Sequence, residues 1–368
     1  MKIGIEIGWS QKAGGARRVA FNTLAEMCKL RSNYQFHTFT NENIDVCDSS
    51  NLKPTVLRAP FAVPQTIWDQ FLFPHVAVPY EVSKLKLDVV HFTNNIVPIV
   101  CKTPYVVTIH DMTPFVIPDS FKKFHGSYQR WYFKLAAKNA RKIITVSQNS
   151  KNDICRLLDV NDDKVVVVPL APLESPSVGN QDDSDNPEFL DSPYLLYVGA
   201  IHPRKNVIRL IKAFGLLKKN KNIPHKLMIA GALRWGNDEI SSEIDKLQLN
   251  DDVQFLGRVS DELLNKLYKN CSAFVYPSIY EGFGLPVIEA MSQGAPVITS
   301  IGSSLEEVAG DAAELIDPYS EEDIARGLEK VLLDTTYADN LRQKGIQRAK
   351  EFTWEKTAKG ILDVLESV

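Results

Sequence analysis

Short runs of apolar, β-branched residues alternate with amphipathic stretches of helical period along almost the whole chain, and this alternation constrains the fold more than any other feature. Ile3–Ile7, Gln35–Phe39, Leu87–Phe92, Tyr105–Ile109, Ile143–Val146 and Val165–Val168 read as strands in the first half. Tyr194–Val198, Lys226–Ala230, Val253–Leu256, Ala273–Tyr276, Pro296–Thr299 and Glu314–Ile316 do so in the second. Several are continuously apolar, as parallel strands buried on both faces must be. Stretches such as Asn206–Lys219, Asp261–Lys269 and Glu321–Leu333 supply the intervening helices. Repeated β–α units predict doubly wound α/β sheets. At 368 residues the chain exceeds one ordinary core. Residues 173–192, rich in Pro, Ser, Asp, Gly and Asn, read as a linker between domains at 1–172 and 193–353.

The segment Pro277-Ser-Ile-Tyr-Glu281-Gly-Phe283-Gly284-Leu285-Pro286-Val-Ile-Glu289-Ala-Met-Ser-Gln-Gly294 carries the clearest chemistry. Pro286 suits the start of a helix and Gly294 its end. Amides near Gly284 and Leu285 would then lie at the positive end of a helix dipole, where an anion is favoured. A carboxylate one turn in, Glu289, would repel that anion, so hydroxyl partners are expected for it and for Glu281. Phosphate donors between two hydroxyl-seeking carboxylates describe a nucleotide-sugar pocket.

Glu281 and Glu289, in the setting Ser-x-Tyr-Glu-Gly-Phe-Gly-Leu-Pro-x-x-Glu-Ala, resemble the signature of the family-4 retaining glycosyltransferases. The resemblance extends over roughly the whole chain and is strongest from Tyr194 to Gly310. It implies the GT-B fold: two Rossmann-like doubly wound domains facing a central cleft, with the helix 354–368 packing back on the first domain. It also implies that Glu281 contacts hydroxyls of the transferred sugar and Glu289 the ribose.

Other motifs fit that likeness. Gly199-Ala-Ile-His-Pro-Arg204-Lys205-Asn206 sets two cations after a buried strand. Cations there would meet the charge that grows on a departing diphosphate, Arg bidentately and Lys as a point charge. The family's Arg-Lys-Asn element holds the donor diphosphate. Gly14-Gly15-Ala16-Arg17 follows the first strand and could bring amides to the phosphates; it departs from the family's Gly-Gly-x-Gly, and a plain loop is an equal reading. His110, in Val107-Thr-Ile-His-Asp111, ends a strand, and the family uses this histidine to hold a donor-sugar hydroxyl; Asp111 would orient it. Ser147 and Ser150 resemble an element lining the cleft and are acceptor candidates. Gly231 is expected in a tight turn under the nucleotide. Arg258 and Val259 are expected at the base edge or a phosphate, and Phe283, Gly284 and Leu285 complete the donor contacts.

Bulk properties exclude other classes. Five scattered cysteines without a C-x-x-C pair read as reduced thiols in a cytoplasmic protein. No apolar run spans a bilayer, and Met1-Lys-Ile-Gly4 reads as a strand start rather than an export signal. Asp183-Ser-Asp185 has the spacing of a metal-binding D-x-D but sits in the linker, so no metal or other cofactor is expected. Residues 1–175 hold 21 Lys/Arg against 15 Asp/Glu, and the rest 21 against 30. That basic first half suggests an anionic partner without specifying nucleic acid. From Ser120 to Asn152 there are eight Lys/Arg and no acid. Phe121, Phe124, Tyr128, Trp131, Tyr132 and Leu135 could share one helical stripe, giving residues 121–142 a peripheral contact with anionic membrane at the inner face of the cell membrane. The alternative is aromatics in the core and ordinary surface cations.

The expected activity is metal-independent transfer of a hexose from a nucleotide sugar to a saccharide or lipid-linked saccharide acceptor, with retention. His110-Asp-Met-Thr-Pro114 and Glu281-Gly-Phe-Gly-Leu-Pro286 look most like mannosyltransferases that use GDP-mannose in surface polysaccharide or lipopolysaccharide assembly. The alternatives are a UDP-hexose donor, a nucleotide-sugar epimerase needing no acceptor, and a non-catalytic two-domain sugar-binding protein.

Overall fold

The computed structural model describes residues 1–7, 14–41, 46–47, 49–60, 63–120, 123–173, 192–232 and 237–368. Backbone contacts divide the chain into two compact units. Unit 1 comprises Met1–Leu170 and Thr353–Val368, and unit 2 comprises Ala171–Phe352.

Unit 1 is built on seven parallel strands: β1 (Lys2–Glu6), β2 (Gln35–Thr40), β3 (Leu52–Val56), β4 (Val89–Phe92), β5 (Tyr105–Thr108), β6 (Lys142–Thr145) and β7 (Val165–Val167). Their order across the sheet is β3-β2-β1-β4-β5-β6-β7. Unit 2 has six: β8 (Tyr194–Val198), β9 (Lys226–Ala230), β10 (Val253–Gly257), β11 (Ala273–Tyr276), β12 (Val297–Ser300) and β13 (Ala313–Ile316). They are also parallel, in the order β10-β9-β8-β11-β12-β13. Each sheet reverses direction once, between β1 and β4 and between β8 and β11. In such sheets ligands bind beyond the carboxyl ends of the strands at the reversal.

The last helix, Trp354–Glu366, belongs to unit 1 by packing. Ala358, Ile361, Leu362 and Leu365 enter one buried cluster with Leu24, Met27 and Phe36. Thr357 donates to the Pro169 carbonyl at 2.7 Å, and Arg31 pairs with Glu366 at 2.8 Å.

Two expectations change. β3 was not legible as a strand, because it lies at the sheet edge, where Lys53 and Pro54 are exposed; only an edge position tolerates a proline without a donor. The aromatic stripe also divides. In the helix Lys123–Asn139, Tyr132 and Phe133 are buried with Ala136 and Ala137, while Trp131 is 47% exposed. The buried positions 132, 133, 136 and 137 share one side of the helix, where Tyr132 stacks on His75 and Phe133 meets Phe115 edge-on, which leaves Trp131 outside. Phe121, Lys122 and the side chain of Phe124 lie outside the described residues, as does Asp183-Ser-Asp185. No helix among the described residues is long and apolar enough to cross a membrane.

Leu362 is fully buried. Leu362→Ala is expected to cost about 2–5 kcal/mol, read as a lower denaturant midpoint. A loss below about 0.5 kcal/mol would show that unit 1 does not depend on its returning helix.

Candidate functional site

In unit 2 the reversal between β8 and β11 brings together residues 76 positions apart in sequence. The turn after β8 is a single 3-10 turn, Pro203–Lys205, ending at Asn206 in the left-handed region (φ 62°). Asn206 is buried and its side-chain amide donates to the carbonyls of Pro277 (3.0 Å) and Pro318 (2.6 Å). Ile279 N donates to the Arg204 carbonyl at 2.8 Å, and the Ser278 hydroxyl lies 3.1 Å from the same oxygen. The segments after β8 and β11 are thus joined through their backbones before any charge is considered.

Onto that frame the side chains converge at one oxygen. Glu281 Oε1 lies 2.7 Å from Arg204 Nη1, accepts from Lys205 Nζ, and accepts from Ser278 Oγ (2.6 Å) and Tyr276 OH (3.2 Å). Arg204 also donates to the Tyr280 carbonyl at 2.9 Å, and Lys205 to the Tyr276 hydroxyl. Burial pushes the Glu281 carboxyl up, but Lys205 and Arg204 outweigh it and hold it at about 2. Burial, with Glu281 adjoining, raises the Tyr276 phenol well above its ordinary range, so it stays a donor. The sequence assigns Arg204 and Lys205 to a diphosphate and hydroxyl partners to Glu281, and Glu281 has two hydroxyl donors, Ser278 and Tyr276. The pairing of the three charged side chains with one another is not part of that reading; it forms because a buried carboxylate requires counter-charge. It follows that either cation also contributes to folding.

Glu289 has the hydroxyl partner expected of it, from within the protein: Tyr268 donates to its Oε2 at 3.1 Å. The helix Leu285–Ser292 starts at Gly284, whose φ of 99° suits glycine, and a Cβ there would stand 2.4 Å from the Leu305 side chain. Phe283 is buried edge-on against Phe352. At the ends of β8 and β9, Gly231 admits the Gly199 carbonyl so closely that a Cβ would stand 2.0 Å from it. Gly231 N donates to the Gly257 carbonyl, which places exposed Arg258 and the adjoining Val259 beside that turn.

Unit 1 holds a second group at the ends of β4 and β5. His110 Nε2 donates to the Thr93 carbonyl at 3.2 Å. Burial holds the imidazole below its ordinary range despite Asp111 and that carbonyl. In this neutral tautomer Nδ1 is left as an acceptor. His91, bonded to Thr108 Oγ1 at 2.8 Å, is pushed down to about 3 by burial and by His110.

Three neighbours have roles other than those expected. Asp111 accepts from Thr113 N at 2.8 Å, shaping the turn into the next helix rather than gripping His110. Ser147 is buried and caps the helix Gln148–Leu158 through Ser150 N. Ser150, also buried, donates to the His110 carbonyl at 3.3 Å. Both serines support the histidine loop, and neither presents a surface to an acceptor. Gly14 and Gly15 open the helix Gly14–Leu30 rather than standing in a loop, and the residues before them lie outside the described set. Tyr276, Ser278 and Tyr268 are site residues that the sequence reading does not name, although the first two lie only five and three positions before Glu281.

Residues 13–171 match the family model Glycosyltransferase Family 4, and residues 180–352 match Glycosyl transferases group 1. The O-antigen chain mannosyltransferase B of Escherichia coli is 33% identical over 259 residues, 68% of this chain and 67% of that protein. The O-antigen chain mannosyltransferase RfbU of Salmonella typhimurium is 33% identical over 215 residues, 58% of this chain and 57% of that one. Among solved structures, sucrose-phosphate synthase from Thermosynechococcus elongatus superimposes with a TM-score of 0.78 at 20% identity, covering 100% of this chain and 98% of its own.

The Glu281 cluster implies a pH signature. A carboxyl lowered from 4.5 to about 2 adds stability that is present above 4.5 and is lost as pH falls towards 2. The contribution is on the order of 3 kcal/mol. Denaturant midpoints of wild type and Glu281→Gln, measured across that window, should converge as pH falls. Parallel curves would mean that the two cations do not hold Glu281 ionised.

Proposed function

Because the chain belongs to the family-4 glycosyltransferases of the GT-B fold, we propose that it transfers mannose from GDP-mannose, with retention, to a saccharide or lipid-linked saccharide acceptor. The Arg204–Lys205–Glu281 cluster at the sheet reversal carries this reading, and the names of the O-antigen mannosyltransferases it resembles support the choice of sugar.

The bond from the anomeric carbon to the phosphate oxygen breaks while the acceptor oxygen bonds to the same face. The acceptor proton passes to the departing phosphate oxygen, so no protein nucleophile is required. Charge grows on the diphosphate as it leaves. Arg204 and Lys205 are positioned beforehand to meet it, which favours the transition state over the ground state. In the ground state Glu281 shares their charge; as the diphosphate takes it up, Glu281 can turn to a hydroxyl of the hexose. Glu289, steadied by Tyr268, is assigned to the ribose. In unit 1, His110 offers a neutral acceptor nitrogen for a sugar hydroxyl. No metal is needed in this reading, because the two side chains supply the positive charge.

The donor is tested by thermal midpoint with GDP, UDP and ADP, since a selective ligand stabilises the fold by mass action. GDP should give the largest rise; a rise confined to UDP would replace the donor. Mannose transfer should survive EDTA and give an α-linked product, cleaved by α-mannosidase. A β-linked product, or activity restored only by added divalent metal, would overturn the mechanism. Under conditions where the variants remain folded, Arg204→Ala and Lys205→Ala should each raise the barrier by about 2–4 kcal/mol. Near-normal turnover in both would remove the diphosphate assignment.

A further inference from the structure

Unit 1 carries a second concave feature at the opposite ends of its strands. A hollow of about 1180 Å³ opens around the loop before β5, the start of β6 and the end of the helix Lys123–Asn139. Lys102, Lys134, Lys138, Arg141, Lys142 and Lys164 line it, against two carboxylates, Asp159 and Asp163. Among the described residues none of the six cations is ion-paired with a carboxylate. Two have their heads fixed by backbone: Lys142 donates to the Asp163 carbonyl and Lys164 to the Ala137 carbonyl, each at 2.7 Å. Six cations against two carboxylates leave an excess of positive charge, which repels itself and which an anionic partner relieves.

The rim is apolar. Ile99 and Val100, which also line the hollow, are 54% and 68% exposed. Trp131 lies one turn before Lys134 and two before Lys138, on the same helical face. Tyr105 lines the hollow too, and its buried hydroxyl has no partner among the described residues.

We propose that this surface docks on an anionic phospholipid bilayer, with phosphate headgroups in the basic hollow and Ile99, Val100 and Trp131 entering the interface. Charge complementarity selects the bilayer's sign. Exposed aliphatic and indole side chains beside cations suit the boundary between headgroups and acyl chains, which a soluble anion does not offer. The centre of this surface is the hollow at 98–104, 134–142 and 164, rather than the aromatic stripe of the helix. The proposal is independent of the nucleotide-sugar reading.

The test is co-sedimentation of the full chain with phosphatidylcholine vesicles, with and without phosphatidylglycerol. Wild type should sediment only with the anionic vesicles, and high salt should weaken this. K138E/R141E should reduce the bound fraction at least about ten-fold. I99S/V100S should weaken binding at constant charge. A control reversal at Lys219 and Lys221 in unit 2 should leave binding unchanged, and unaltered thermal midpoints would show that all variants are folded. Vesicle addition should blue-shift wild-type tryptophan emission and leave Trp131→Phe much less affected. Wild type that ignores anionic vesicles, or both hollow variants binding like wild type, would overturn the proposal. So would stabilisation by free glycerol phosphate without vesicle binding, which would mark a site for soluble anions.

Discussion

The ionised carboxyl of Glu281, buried beneath Arg204 and Lys205, is the interaction on which the candidate site depends. A lone carboxylate in that position would be costly; one cation would neutralise it, and the two together leave the cluster with a net positive charge. Held together, the three link the segments that follow two neighbouring strands, and the backbone bond from Ile279 N to the Arg204 carbonyl fixes their spacing. The cations are therefore oriented before any ligand arrives. Fixed cations of this kind need little reorganisation to meet an anion, and electrostatic stabilisation draws its strength from that.

Sheet topology explains why the cluster forms where it does. In unit 2 the chain runs outward from β8 to β10, then returns to place β11 on the other side of β8. Only at that return do two strand ends lie side by side with their following segments diverging. The two tyrosines extend the same logic. Tyr276 and Tyr268, kept protonated by burial first and by adjoining carboxylates next, each donate to one member of the Glu281/Glu289 pair. The carboxylates that define the motif are thus both held from behind by phenols.

Much of this was legible in the chain itself, for a physical reason. Strands buried on both faces read as unbroken apolar runs, so Tyr194–Val198, Lys226–Ala230 and Ala273–Tyr276 are placed residue for residue. β3 escaped because edge strands are free of that requirement. The chemical types of Arg204, Lys205 and Glu281 were readable, but their pairing was not, since it depends on which strands become neighbours. Ser147, Ser150 and Asp111 show the converse. A hydroxyl or carboxylate just after a strand serves equally well as a helix cap, a turn bond or a ligand contact, and only the partner decides. The aromatic helix shows how burial divides adjacent residues, with Tyr132 turned to the core and Trp131 to solvent.

The most direct test of the central claim compares GDP with GMP by calorimetry, in wild type and in Lys205→Ala at a temperature where both are folded. If Arg204 and Lys205 hold the diphosphate, wild type should bind GDP well above GMP. In the variant that advantage should shrink sharply while GMP affinity changes little. An undiminished preference for GDP in the variant would contradict the assignment.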